Sequence, residues 1–133
     1  MVKTKLGIED LLSIRNPNLI KAVVATSRPV LTLPEAQRLT SHLGALSSDI
    51  PKIKLGILHT YTSELLNPWL SLEMAVQGFA VETFHAPYGV TVQEARPDSG
   101  LVTHRPDITL VMLQREDLHP DLAQPLANWN VTQ

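Results

Sequence analysis

Apolar positions in the first part of the chain repeat at a helical spacing. Between residues 6 and 26 the apolar side chains recur every three or four positions, and Pro17, flanked by two asparagines, interrupts them. Because proline removes a backbone donor and clashes with the preceding turn, this pattern predicts two short helices separated at Pro17.

A third helix is predicted between Thr32 and about Leu46. Thr32 and Glu35 have the three-residue spacing of a capping box, and Pro34 suits the first helical turn. Apolar residues at intervals of three or four give this helix one buried side. Residues 1–50 are therefore predicted to form an N-terminal helical segment.

Beyond residue 50 the pattern changes to short apolar runs that alternate with helical segments. Three runs are typical of strands buried on both faces, namely 53–58, 79–84 and 108–113. Strands alternating with helices indicate a parallel sheet with right-handed crossovers. We predict an α/β domain over residues 51–133, with a three-layer Rossmann-like or SGNH-like sheet in strand order 2-1-3, either small or incomplete.

The helix between the first two strands is predicted over residues 64–77. Its inner side is expected to comprise the apolar residues Leu65, Leu66, Trp69, Leu72 and Val76. Gly78 stands where a C-terminal cap is expected. Thr62 and Ser63 precede the helix, and a hydroxyl there accepts hydrogen bonds from the free N–H groups of the first turn. Helix capping is the simplest interpretation of these two hydroxyls.

Two short segments precede the third predicted strand. Asp98-Ser99-Gly100 is typical of a turn and helix cap, because Asp and Ser bond the following backbone and Gly permits positive φ. Arg105-Pro106-Asp107 is interpreted as a turn that leads into the strand. The strand itself would form an exposed apolar edge unless something covers it. This edge predicts a larger domain or a partner, a second copy of the chain included.

Polar side chains gather in the loops that follow the three strands. The carboxyl ends of parallel strands share one edge, where α/β proteins usually bind ligands. The candidate ligand-binding residues at this edge are His59, Thr60, Thr62, Ser63, His85, Tyr88 and Gln114. Two functional hypotheses stand beside capping: the helix N-terminus and its hydroxyls hold an anion such as phosphate or phosphopantetheine, or Ser63 or Thr62 is a catalytic nucleophile.

Composition narrows the functional classes. The 133 residues are 44% hydrophobic and 18% charged, with a formal net charge of −2, so no dominant basic face is expected for a nucleic acid or a membrane surface. The absence of cysteine excludes disulfides and thiolate chemistry. The histidines are dispersed, and His59 with His85 would need further ligands, so no metal site is predicted. No apolar run is long enough to cross a bilayer, and we expect a cytoplasmic protein.

A set of short motifs extends over residues 30–115. They are the Thr62-Ser63 turn after a strand, the helix ending at Gly78, the aromatic loop ending in Tyr88-Gly89, the segment Asp98-Ser99-Gly100-Leu101, and Arg105-Pro106-Asp107 before the last strand. This combination resembles the N-terminal region of FkbH-like proteins, which belong to the haloacid-dehalogenase-type phosphatases of subfamily IIIC.

The resemblance implies a role in making glyceryl units on acyl carrier proteins for polyketide-type pathways. Members of the family take a phosphoglyceryl group from a glycolytic bisphosphate and remove its phosphate, in a phosphatase domain with an Asp-x-Asp-x-Thr-type motif and magnesium. No Asp-x-Asp occurs in this sequence, so no family catalytic residue and no cofactor is expected in this chain. The implied role is a non-catalytic or incomplete module that positions an acyl carrier protein or a phosphatase domain.

The same region of the family is similar to SGNH-type hydrolases, which gives a degenerate esterase as the rival hypothesis. An SGNH enzyme needs Gly-Asp-Ser after the first strand, Gly-x-Asn-Asp after the third, and a late Asp-x-x-His pair. This chain has His59–Ser63 and Gln114–Asp117 at the first two places and Asp117-Leu118-His119 near the third. Because these diagnostic segments are missing, the esterase is the less favoured hypothesis, and the absent phosphatase motif leaves no activity expected from the chain alone. A small anion-binding protein is the third hypothesis.

Overall fold

The structure, a computed structural model, describes residues 6–125. The helices are Ile8–Ser13 (α1), Pro17–Ser27 (α2), Leu33–Leu46 (α3), Asn67–Val76 (α4), Gly100–His104 (α5) and Arg115–Leu118 (α6). The strands are Lys52–His59 (β1), Ala80–His85 (β2) and Ile108–Met112 (β3). Within the described residues, no helix is both long and apolar enough to span a bilayer.

The three strands form one parallel sheet in the order β2-β1-β3. β1 is central, and its pairing with β3 runs from Leu55 opposite Ile108 to His59 opposite Met112. This arrangement brings the carboxyl ends of the strands to one edge of the sheet. The predicted α/β fold with strand order 2-1-3, preceded by N-terminal helices, is confirmed.

The chain divides into two compact units. The first unit joins the chain up to Ile53 with Leu65–Glu82, and the second joins Lys54–Glu64 with the chain from Thr83 onward. The second unit therefore contains most of β1, all of β3 and the loops that follow the strands. The division into domains at residue 50 stays a prediction.

Four helices share the hydrophobic core of the first unit. Its buried residues come from α1, α2, α3 and α4, and they are Leu11, Ile20, Val24, Ala36, Leu39, Leu43, Leu72, Ala75 and Val76. The predicted break at Pro17 is confirmed, since α2 begins there. The Asn16 side chain caps α2 by accepting hydrogen bonds from the backbone N–H groups of Asn18 and Leu19.

The capping box predicted for α3 is present. Glu35 Oε2 accepts one hydrogen bond from the Thr32 backbone N–H at 2.7 Å and another from the Thr32 hydroxyl at 2.8 Å. The first bond satisfies a backbone N–H that the helix itself leaves free, and the second joins the two side chains. The helix ends at Leu46, as the pattern predicts.

The predicted start of α4 is wrong, and so is the buried position predicted for Leu65, Leu66 and Trp69. The turn Glu64–Leu66 is a 3-10 helix, and α4 begins only at Asn67, with Pro68 in its first turn. The helix therefore presents Leu72, Ala75 and Val76 to the core, whereas Leu65, Leu66 and Trp69 are exposed. Gly78 has a φ of 91°, so the predicted left-handed C-terminal cap is confirmed.

In the second unit, a glycine on β1 allows close packing by the segment before β3. A Cβ atom at Gly56 would overlap the Leu101 side chain of α5 and approach Pro106 to 3.3 Å. Asp107 then joins β1 to the start of β3, because its carboxylate accepts from the Lys54 N–H while its own N–H donates to the Lys54 carbonyl, both at 2.8 Å. The predicted turn at residues 105–107 is thus an anchor for β3.

The predicted helix cap before α5 is also present, although its glycine has a different role. Ser99 caps α5 by accepting a hydrogen bond from the Val102 N–H at 3.1 Å. Gly100 does not have positive φ. Instead, a Cβ atom there would lie 2.6 Å from the Phe84 ring, so Gly100 is required by close packing.

Replacing Glu35 with Gln should change how stability depends on pH. The Thr32 backbone N–H, and then its hydroxyl, lower the pKa of Glu35 in the folded protein. A carboxyl group whose pKa is lowered by folding stabilises the folded state at pH values above its unfolded-state pKa. This contribution is lost as the pH falls through the folded-state pKa. Urea unfolding between pH 7 and pH 3 should show a wild-type advantage over Glu35→Gln that shrinks toward low pH. Thr32→Val, which deletes only the hydroxyl donor, should be intermediate, and parallel curves would contradict the assignment.

Replacing Gly56 with Ala should destabilise the protein, because the added methyl group enters the space of Leu101. Overpacking of this kind costs about 1–3 kcal/mol of unfolding free energy. Gly44→Ala is the matched control, since Gly44 lies inside α3 with open space around its Cβ position. That change should stabilise by about 0.5–1 kcal/mol through helix propensity. Chemical denaturation measures the change in unfolding free energy for both variants. If both variants are stabilised, or both destabilised, the packing argument is refuted.

Candidate functional site

A buried histidine lies at the carboxyl end of β1. His59 is 2% exposed, and both of its ring nitrogens are held by backbone carbonyl oxygens. Its Nδ1 lies 2.8 Å from the carbonyl oxygen of Tyr61, and its Nε2 lies 2.8 Å from that of Ala86. The ring therefore links the turn after β1 to the loop after β2, and it organises this edge of the second unit.

Ser63 belongs to the same buried group. Its side chain is 1% exposed, and its Oγ lies 3.1 Å from Nδ1 of His59. The N-cap position of α4 is Leu66, which makes no side-chain cap hydrogen bond. The helix-capping interpretation of Ser63 is therefore wrong: the intervening 3-10 turn separates this hydroxyl from α4, and the imidazole is its partner.

The position of Ser63 is unsuited to nucleophilic catalysis. A catalytic hydroxyl must meet the substrate carbonyl, with a base nitrogen free to take its proton. Here the hydroxyl is buried, and Nδ1 of His59 also contacts the Tyr61 carbonyl oxygen. Thr62 is exposed but does not share this contact with the imidazole. The geometry does not support the esterase hypothesis.

His85 and Glu64 complete a cluster around His59. The His59 and His85 rings meet edge to face with their centroids 5.5 Å apart, and Tyr88 packs against His59 at 6.4 Å. Glu64 Oε1 lies 3.8 Å from Nε2 of His59. One candidate ligand atom from each of His59, Glu64 and His85 lies within 4.8 Å of the other two. Two imidazoles and one carboxylate therefore converge at the end of the sheet.

The pKa values of His85 and Glu64 are shifted by different causes. Burial lowers the pKa of His85, an effect that Glu64 opposes and His59 reinforces. Hydrogen bonds from backbone N–H groups, first that of Glu64 itself and then that of Ser63, lower the pKa of the Glu64 carboxyl, and the two histidines add to this. At neutral pH the cluster thus offers an uncharged imidazole at His85 and a carboxylate at Glu64.

A second polar cluster joins the ends of β1 and β3. The Thr60 hydroxyl donates a hydrogen bond to Asp117 Oδ2 and lies 3.1 Å from the Gln114 N–H. The Gln114 N–H also donates to Asp117 Oδ2 at 2.8 Å. Because Asp117 and Glu64 are acidic, this edge of the sheet favours a cation over an anion. The anion-binding site remains a sequence prediction.

The structure sorts the predicted site residues into groups. His59, Ser63, His85 and Tyr88 lie in one cluster, Thr60 and Gln114 lie in the other, and Thr62 is in neither. The sequence analysis missed Glu64 and Asp117 as members. Asp117 had a visible signal, since it follows Gln114 by three residues and forms a capping box with it. No sequence pattern indicates Glu64 as a site residue, apart from its position next to Ser63.

The first unit contains a separate groove of about 350 Å³. It is lined by α2, α4 and the segment between α2 and α3, with Trp69 on one side and Arg28 and Glu73 among its polar residues. None of the predicted site residues lies in it, and it is an open groove between helices.

Comparison with solved structures supports the fold. No protein-family model matches the chain, and no curated protein matches it. A similar solved structure is the crystal structure of the N-terminal part of the protein BF1531 from Bacteroides fragilis, containing a phosphatase domain complexed with Mg. The two share 21% identity with a TM-score of 0.53, over 71% of this chain and 27% of that one. The chain thus spans about a quarter of that structure, and the similarity establishes the α/β fold alone.

Deleting the Ser63 hydroxyl should affect stability and not turnover. Ser63→Ala removes a buried hydrogen bond to His59, which costs about 0.5–1.5 kcal/mol of unfolding free energy. Thr62→Ala deletes the neighbouring exposed hydroxyl and should change stability by less than about 0.5 kcal/mol. Chemical denaturation measures both, and p-nitrophenyl acetate hydrolysis should stay at background for the wild type and both variants. Turnover that disappears in Ser63→Ala would restore the hydrolase hypothesis.

Proposed function

We propose that this chain is a non-catalytic α/β module that positions a partner through β3. The partner is a magnesium-dependent phosphatase domain of the haloacid-dehalogenase type, as the resemblance to FkbH-like proteins implies. The same resemblance gives the biochemical setting, the assembly of glyceryl units on acyl carrier proteins, with an acyl carrier protein as the second candidate partner.

The exposure of β3 is the observation that carries this proposal. β3 is an edge strand, and four of its five residues are exposed. Its apolar side chains include Ile108, which is 48% exposed, and Val111, which is 55% exposed. Successive residues of a strand point to opposite faces, so Ile108 and Val111 lie on different faces of the sheet. Parallel strands are normally covered on both faces, and β3 is therefore a surface suited to a partner.

The missing phosphatase motif and the burial of Ser63 support a positioning role. The sequence lacks the Asp-x-Asp motif of the phosphatase nucleophile. Within residues 6–125 the best-placed serine, Ser63, is buried against His59. Binding is consequently better supported than turnover.

The similar structure supports the choice of partner. BF1531 is described as containing a phosphatase domain with Mg, and this chain corresponds to about a quarter of that structure. A module of this fold next to a phosphatase domain is the arrangement that the FkbH-like resemblance implies. In this proposal magnesium binds to oxygen ligands of the partner domain, and this chain is not expected to bind magnesium.

A charge on β3 should abolish the complex. Val111→Lys places a cation in the centre of the proposed interface, whereas Val92→Lys makes the same change at a valine that is 81% exposed outside the sheet. The full chain and both variants are mixed with a subfamily IIIC phosphatase domain from the same organism. Light scattering after size exclusion should show a complex for wild type and Val92→Lys, and its loss in Val111→Lys.

Three other outcomes would each contradict the proposed partner. If wild type remains a monomer beside the phosphatase domain, the positioning role fails. If it binds only a holo acyl carrier protein added in parallel, the carrier is the partner. If it forms dimers that Val111→Lys dissociates, the occupant of β3 is a second copy of the chain.

A further inference from the structure

We propose that His59, Glu64 and His85 form a binding site for a divalent transition-metal ion, with zinc as the best-fitting member. The site lies in the second unit, at the ends of β1 and β2, and it is separate from the apolar surface of β3. It goes beyond the positioning function and does not depend on it. Two imidazoles with one carboxylate are an established zinc ligand set that leaves a coordination position open.

The cluster is close to the dimensions of such a site. Tetrahedral zinc with bonds of about 2.0–2.2 Å places two ligand atoms about 3.3–3.6 Å apart. The contact between His59 Nε2 and Glu64 Oε1, at 3.8 Å, is slightly longer than that spacing. The three ligand atoms lie within 4.8 Å of one another, so the site closes with side-chain shifts on the order of 1 Å. The Glu64 side chain is 53% exposed and is free to contribute part of that movement.

The hydrogen-bond pattern of His59 gives independent support. A neutral imidazole has one N–H, but both nitrogens of this buried ring lie 2.8 Å from carbonyl oxygens. One carbonyl must therefore face a nitrogen lone pair, unless a second proton or a cation lies beside the ring. A metal ion that takes the Nε2 lone pair would remove this repulsion, and the Ala86 carbonyl oxygen would have to move aside, because 2.8 Å leaves no room for an ion between the two atoms.

The remaining nitrogen has the environment of a metal-bound histidine. Histidine ligands usually donate their other ring N–H to a carbonyl or carboxylate, which fixes the tautomer and the ring orientation. Here Nδ1 contacts the Tyr61 carbonyl oxygen at 2.8 Å and Ser63 Oγ at 3.1 Å. With Nδ1 protonated, Nε2 carries the lone pair, and it lies 2.8 Å from the Ala86 carbonyl oxygen and 3.8 Å from Glu64 Oε1. Ser63 thereby becomes a positioning residue for the metal ligand.

The ligand chemistry selects the type of metal. Imidazole nitrogens suit zinc and related transition metals, whereas magnesium prefers oxygen ligands and keeps its water. The ion would also join the loop after β1 to the loop after β2. The site is therefore expected to bind zinc and to ignore magnesium.

The test is zinc binding by the full chain after treatment with a chelator. Calorimetric titration with zinc chloride should give one site per chain, and magnesium chloride should give no measurable heat. Glu64→Gln and His85→Gln should each weaken zinc binding more than tenfold, since even the loss of an outer-shell partner costs about 10–100-fold. His119→Gln is the matched control, because it removes an exposed histidine outside the cluster, and it should leave the affinity within about twofold. Far-ultraviolet circular dichroism verifies that each variant is folded.

Cobalt gives a second readout, since its visible absorption reports the number and type of ligands. Cobalt-loaded wild type should show bands typical of nitrogen and oxygen coordination, and the bands should be lost in His85→Gln. The absence of a saturable zinc site in the folded wild type would overturn the proposal. Wild-type affinity in both Glu64→Gln and His85→Gln, or an equal loss in His119→Gln, would do the same.

Discussion

The end of the sheet depends on a buried imidazole whose two nitrogens are held by carbonyl oxygens from different chain segments. His59 contacts the Tyr61 carbonyl through Nδ1 and the Ala86 carbonyl through Nε2. These contacts bring the turn after β1 and the loop after β2 together, and they draw Ser63 into the interior. The histidine that a hydrolase would use as a base is thereby committed to structure and, as we propose, to a metal ion. The same contacts hold the Ser63 hydroxyl in the interior, beside Nδ1 of His59.

The functional consequence is a second unit with two distinct surfaces. One is the carboxyl edge of the sheet, where Glu64 and Asp117 place negative charge. The other is β3, which is apolar and lies at the edge of the sheet. We propose the second surface for a phosphatase domain or an acyl carrier protein, and the first for a metal ion. The distances within the carboxyl edge argue for binding of a cation, and nothing in its geometry requires turnover.

The sheet could be predicted from the sequence, because apolar runs separated by helical spacing leave few topologies open. The capping box of Thr32 with Glu35, the cap at Ser99 and the left-handed Gly78 were also visible as local patterns. The failures were non-local. The start of α4 depends on a preceding 3-10 turn, which the spacing of apolar residues does not indicate. The sequence therefore predicts Trp69 in the core, whereas the structure exposes it. The partner of Ser63 and the position of Glu64 follow from the turn around His59, which brings side chains together in a way that spacing does not specify.

Binding through β3 is tested most directly by amide hydrogen exchange of the full chain, with and without the phosphatase domain. The peptide that covers Ile108–Met112 is the one to follow, because an edge strand leaves part of its backbone hydrogen-bonding groups open to a partner. Slower exchange of this peptide in the mixture, with the helices of the first unit unchanged, is the result that the proposed function predicts. Unchanged exchange at β3 under conditions where the phosphatase domain is in excess would contradict it.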